Sequence, residues 1–286
     1  MTSIKIVTDS TADIPEELVQ KYNIHVIPLN VHFGEEQFED GISLKPKEFY
    51  AKLTSSEVMP KTSQPSPQQF EELYRQVATE KDDQILSIHL SSQMSGTMQA
   101  ALIAKEELKN ELAIHVYDSK RASYAIGIVV VEIAKLVAQG ADLEACQKRL
   151  NELLKDTRVY FMVDTLEFLQ KNGRIGKASA LLGSLLKMKP ILSLNEPGEV
   201  YPHEKVRGQK KAAARILALL KEEFGSGEVH VGISHAVNEE LANELALEIK
   251  HQFNTQSVVL TEIGSVIGAH VGPGTVSLSM TNVEQA

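Results

Sequence analysis

Four short stretches hold most of the side chains able to bind or transform a ligand. Residues 62–66, TSQPS, and residues 91–97, SSQMSGT, are dense in hydroxyls; residues 171–177, KNGRIGK, set an arginine between two glycines; residues 264–274, GSVIGAHVGPG, place His270 among four glycines and a proline. Thr62, Ser63 and Ser66 can each donate a hydrogen bond, Gln64 adds an amide, and Pro65 and Pro67 restrict the backbone between them. Ser95 and Gly96 stand where a helical pattern begins. Free backbone N–H groups there favour an anion, and a glycine lets a ligand approach the main chain. An ordinary helix cap is the alternative reading of Ser95. Arg174 can engage a carboxylate or phosphate through a bidentate fork, against the alternative of a solvated basic loop. A loop histidine such as His270 can relay a proton or hold an anionic oxygen; the alternative is a turn whose histidine only fills space.

Several chemistries lose support at once. KNGRIGK is not a nucleotide phosphate loop, because lysine stands at 171 and alanine at 178. No GxSxG elbow and no HExxH pattern occurs, so a common serine hydrolase and a metal centre are both unsupported. Cys146 falls at core spacing with Leu143 and Leu150 and reads as packing. With 29 basic and 38 acidic residues, the net charge of −9 opposes binding to nucleic acid or to anionic membranes. A single cysteine, and an amino terminus that runs directly into a strand pattern, predict a cytoplasmic protein. The most apolar stretch, AIGIVVVEIAKLVA at 125–138, is broken by Glu132 and Lys135 and is shorter than the ~20 apolar residues of a spanning helix, so no stable membrane insertion is expected.

The elements that must position these groups alternate, in the first half, between β-rich runs and helical patterns: IKIVTD at 4–9, IHVIPLNVHF at 24–33, QILSIHL at 84–90 and AIHVYD at 113–118. That alternation predicts a parallel-sheet, three-layer α/β/α domain over residues 1–155. In DIPEELVQKY, Asp13 is placed to cap a helix whose first turn holds Pro15, Glu16 and Glu17. Asp9 and Asp118 read as strand ends handing over to caps, or as groups that orient a site. From residue 156 the order changes. An Ala- and Leu-rich helix near KASALLGSLLKM, a hairpin around Pro197 and Gly198, and later helices at 208–223 and 237–252 predict a second α/β domain with a mixed sheet over 156–286.

The order and spacing of VTDSTADIP, PKTSQPS with SSQMSGT, TLEFLQKNGRIG with KMKPIL, and GSVIGAHVGPG resemble the DegV family along essentially the whole chain. One departure is Gly176, where many members have serine. The resemblance implies a fatty-acid-binding protein of two α/β domains, with one long-chain fatty acid in a buried tunnel and its carboxyl group near the domain junction. It implies no cofactor beyond that bound lipid, and a partner, a fatty acid kinase, that carries the ATP chemistry and makes the acyl phosphate. Carried onto this chain, Thr62 and Ser95 would bind the carboxyl oxygens with His270 close behind, Ser63 and Gly96 beside them, and Arg174 and Arg207 would receive the acyl phosphate or meet the kinase. The stretch 178–188 with Phe161 and Met162 is expected to line part of the tunnel. A phosphoryl- or acyl-transfer enzyme using Arg174 and His270 as general base, and a lipid-responsive sensor, are the alternatives.

Overall fold

The computed structural model describes residues 3–183 and 188–283. The first half runs β1 (Ile4–Asp9), α1 (Glu16–Lys21), β2 (Ile24–Ile27), β3 (Asn30–Phe33), β4 (Glu36–Glu39), α2 (Pro46–Ser55), β5 (Lys61–Ser63), α3 (Pro67–Val77), β6 (Gln84–His89), α4 (Thr97–Glu107), β7 (Ala113–Asp118), α5 (Tyr124–Ala138) and α6 (Leu143–Asp156). Four of its strands form a parallel sheet in the order β2-β1-β6-β7. Alternation within these strands divides their side chains between two layers of helices. Val7, Ile85 and Ile114 pack with residues of α3 and α4, while Ile6, Leu86 and Ile88 pack with residues of α5. The three-layer arrangement follows.

The run at 24–33 is not one strand. Pro28 has no N–H to give a ladder, and the chain leaves the parallel sheet there. Asn30–Phe33 joins a small antiparallel sheet of order β4-β3-β5, and β5 carries Thr62 opposite Val31.

The second half runs β8 (Arg158–Met162), α7 (Glu167–Lys171), a 3-10 helix (Gly176–Leu181), β9 (Lys189–Leu194), β10 (Val200–Val206), α8 (Gln209–Phe224), β11 (Glu228–His235), α9 (Glu239–Gln252), β12 (Asn254–Glu262), α10 (Ser265–Val271) and β13 (Val276–Asn282). Its strands form a six-stranded mixed sheet, β10-β9-β8-β13-β11-β12, in which only β11 and β12 run parallel. The hairpin expected at Pro197 and Gly198 joins β9 to β10. The helix expected near KASALLGSLLKM appears as the 3-10 helix Gly176–Leu181, and residues 184–187 lie outside the described residues.

Helix α5 belongs to both halves. It packs beneath the parallel sheet, and Tyr124 at its start stands against Gly232 of β11 and Ser279 of β13. A helix between two sheets must be apolar on nearly every side, which explains why Tyr124–Val131 is buried throughout. Its Glu132 meets Lys135 at 2.6 Å and His230 at 3.1 Å, so the charge that interrupts the apolar run is paired. We propose a domain boundary near residue 155, where the chain passes from one sheet to the other, with α5 as the layer they share.

Candidate functional site

A cavity lies at the junction, bounded by Leu29, Leu90 and Met94 from the first half and by Val159, Phe161, Leu194, Val200, Val266 and Ile267 from the second. The enclosed space is small, about 90 Å³, widening to about 870 Å³ once the open mouth is counted. The passage is therefore narrow, below the roughly 300–1,000 Å³ of typical small-molecule sites. Phe161 lines it as expected. Met162, the next residue on β8, faces the opposite side of the sheet and packs with α8 and its neighbours, because successive strand residues point to opposite faces.

Polar groups gather on one part of the wall. Thr62, Ser63, Gln64, Ser95, Arg174 and His270 all line this one cavity. Thr62 stands on the edge strand β5 rather than in a turn, and its hydroxyl lies 2.9 Å from His270 Nε2. Ser63 meets His32 Nε2 at 2.9 Å. Gln64 lies so close to Gly96 that a Cβ there would come within 2.6 Å of its amide. A side chain at Gly96 would push that amide aside. The last hydroxyl of TSQPS serves the next helix instead. Ser66 accepts from the Gln69 N–H at 3.2 Å, while Gln69 accepts from the Ser66 N–H at 2.8 Å, closing a capping box on α3.

The second hydroxyl stretch divides in the same way. Ser91 donates to Gly198 O at 2.9 Å and Ser92 to Asp118 at 2.6 Å, both structural ties. Ser95 lines the cavity, meets the Thr97 hydroxyl at 2.9 Å and accepts from the Thr97 N–H at 3.3 Å at the start of α4. It serves the helix start and faces the cavity together.

Arg174 sits in the loop after α7, donating to Met94 O at 3.1 Å and to Asn172 O at 2.8 Å. Asn172 in turn donates to Ala269 O at 2.8 Å, so this loop is tied to both hydroxyl and histidine walls. Gly176 adopts φ +52, and a Cβ there would fall 2.4 Å from Val200 O. A serine here would require the backbone at Val200 to shift. Arg207 lies exposed beyond the end of β10 and is not among the residues that line the cavity.

His270 is carried by a helix, α10, and not by a loop. Burial, with the Arg174 charge as a second cause, lowers its imidazole to about 4, so the ring is neutral at pH 7. Its Nδ1 is buried with no hydrogen-bond partner among the described residues. A neutral ring and two hydroxyls can hold an anionic oxygen without burying a second full charge.

The DegV family profile matches residues 3–282, under the description "Uncharacterised protein, DegV family". The chain belongs to the DegV family. A DegV domain-containing protein of Halalkalibacterium halodurans is 41% identical over 98% of each chain. A solved DegV family protein of Thermus thermophilus, described for its fatty acid binding, superposes with a TM-score of 0.93 at 35% identity, covering 99% of this chain and 100% of that one. DegV of Bacillus subtilis, described as a fatty acid binding protein, superposes with a TM-score of 0.89 at 35% identity, covering 99% and 100%.

Sequence reasoning on this DegV chain missed Met94 and the polar residues Ser123 and Ser277, which also line the cavity. Ser277 was visible only as one polar position in an alternating strand. Asp13, expected to cap α1, does not: the residue before that helix is Pro15, and the Asp13 carboxylate reaches instead to Ser123 and the Gly264 N–H. Among the described residues, no group of three or more His, Cys, Asp or Glu is placed to hold a metal ion, and no helix is long and apolar enough to cross a membrane.

Proposed function

We propose that the chain binds one long-chain fatty acid in the junction cavity and presents its carboxyl group to a partner fatty acid kinase, which phosphorylates it to an acyl phosphate. The observation that carries this reading is a narrow cavity with largely apolar walls, on which Thr62 and His270 meet at 2.9 Å and which Ser63, Gln64, Ser95 and Arg174 also line. The fatty-acid-binding relatives support it. In this reading Thr62 and Ser95 bind the carboxyl oxygens, with Ser63, Gly96 and His270 completing their surroundings. Arg174 stands at the mouth, and the exposed Arg207 is left to meet the kinase. The tail supplies affinity. Each buried methylene contributes about 0.8 kcal/mol, so some fifteen give an upper bound of roughly 12 kcal/mol before the entropy of binding is subtracted.

The transfer-enzyme alternative asks His270 to take a proton. An imidazole held near 4 is a weak base at neutral pH, and the carrier reading requires no such step. Native mass spectrometry of the purified protein, then of the protein with ATP and a fatty acid kinase, tests the proposal. The expected result is one fatty acid per chain, gaining the mass of a phosphoryl group only when the kinase is present. A protein that stays empty when offered fatty acids overturns it.

A further inference from the structure

Helix α10 has only seven residues, yet Val266, Ile267, His270 and Val271 all line the cavity. Its start is held from the first half of the chain. Asp13 Oδ1 accepts from the Gly264 N–H and Asp40 Oδ1 from the Ser265 N–H, each at 2.9 Å. Tyr50 donates to Ile263 O at 3.0 Å, Ser265 Oγ to Leu44 O at 3.2 Å, and Thr261 Oγ1 to Asp13 O at 2.9 Å. The two carboxylates are buried side by side against Gly264, where a Cβ would stand 2.7 Å from Asp13 and 3.4 Å from Asp40. Asp13 has the Ser123 hydroxyl as a further donor, whereas Asp40 Oδ2 is buried with no hydrogen-bond partner among the described residues.

A carboxylate at a helix start makes charge-assisted bonds to the free N–H groups and is favoured by the helix dipole. Two buried carboxylates in contact with one backbone site also repel, and each loses hydration. We propose that Asp13 and Asp40 are positioning residues that grip the start of α10 as a pair sharing one proton, and that a second proton resets the helix and shifts His270 against Thr62. Burial, joined by the charge of Asp40, raises Asp13 well above the usual carboxylate range, and burial raises Asp40 to about 6. Asp40 therefore takes up a proton as the pH falls just below neutral, beside an Asp13 raised in the same direction. Other ionisable groups facing the pair are Asp9 from β1 and Tyr50 from α2, and Glu262 from β12 faces Tyr50. Asp9 is engaged by His89 Nδ1 and the Leu90 N–H, both at 3.0 Å, and burial raises Tyr50 so that it stays neutral.

The linkage has a definite sign. A carboxyl raised from its unfolded value to about 6 adds stability that is full below the unfolded value and is lost as pH rises through 6. His270, lowered to about 4, acts oppositely: its contribution is present above its unfolded value and is lost as pH falls toward 4. Charging Asp40 thus costs stability and secures position. The consequence for a bound carboxyl group rests on the fatty-acid reading; the clamp does not.

The test is the ring-proton NMR signal of His270 in lipid-free protein between about pH 5 and 7.5. Wild type should show a step centred near pH 6, above the pH at which His270 itself titrates. Asp40→Asn should abolish the step. Ser10→Ala, which removes a hydroxyl that favours the charged Asp40, should move it to higher pH, and this variant serves if Asp40→Asn does not fold. Tyr50→Phe, which removes the bond to Ile263 O but no recorded hydrogen bond to either carboxylate, should leave the step where it is. A wild-type signal that does not move, or a step that survives Asp40→Asn or ignores Ser10→Ala, overturns the clamp. A step in protein that takes up no fatty acid supports the clamp and counts only against the lipid reading.

Discussion

The two faces of the six-stranded sheet come from the same strands and have opposite characters. On one face Tyr160, Met162, Ile191, Val231, Ile233, Leu278 and Met280 close with α8 and α9 into a continuous apolar core. On the other, Val159, Phe161, Leu194 and Ser277 border the cavity, and Gly232 and Ser279 make room for Tyr124. The strand β13, VSLSMTN, shows the division in its alternation: Val276, Leu278 and Met280 are fully buried in the core, while Ser277 and Ser279 take the other side. In β13 the large apolar side chains on one face fill space, and the serines on the other leave it. A cavity of this kind is made by what the sheet withholds.

Three substitutions sharpen that contrast. Leu278→Ala, on the filled face, should cost about 3 kcal/mol in stability, as buried leucines do, and leave lipid affinity almost unchanged; urea unfolding and a lipid-displacement titration measure the two. Ser277→Val, one register position away, should do the reverse. Its added bulk displaces about two methylenes of the guest, lowering affinity roughly tenfold, about 1.4 kcal/mol, with little change in unfolding. If Ser277→Val destabilises as much as Leu278→Ala and spares binding, the two faces do not differ in the way described. The smallest effect is expected at the polar cluster. Thr62→Ala removes one neutral hydrogen bond, about 1 kcal/mol, and should lower the preference for a fatty acid over its methyl ester about fivefold while leaving affinity for the ester intact.

Most of the fold was legible because periodicity reports burial directly. Strands β1, β6 and β7 and helices α8 and α9 lie close to where the sequence pattern put them. The errors fall where tertiary contacts override local signals. Pro28 moves half of one expected strand into a third sheet that no local pattern announced, and the glycines of GSVIGAHVGPG, which suggested a loop, flank and punctuate a short helix pinned by distant carboxylates. The hydroxyl stretches stood out as clusters between prolines and before a helix, and the resemblance to the DegV family singled out Thr62 and Ser95 within them. Asp13 and Asp40 could not be paired in advance. Each reads locally as a turn or cap residue, and only the fold brings them to the same glycine.

The last strand among the described residues, β13, does not sit at an edge; it lies between β8 and β11 in the middle of the sheet. During synthesis, β10-β9-β8 and β11-β12 must therefore wait as separate pieces with open edges until residues 276–282 leave the ribosome. Ser277 and Thr275, part of the cavity lining, arrive at the same moment. A nascent chain has no partial compartment to fill, and cargo can be taken up only after the central strand has been inserted.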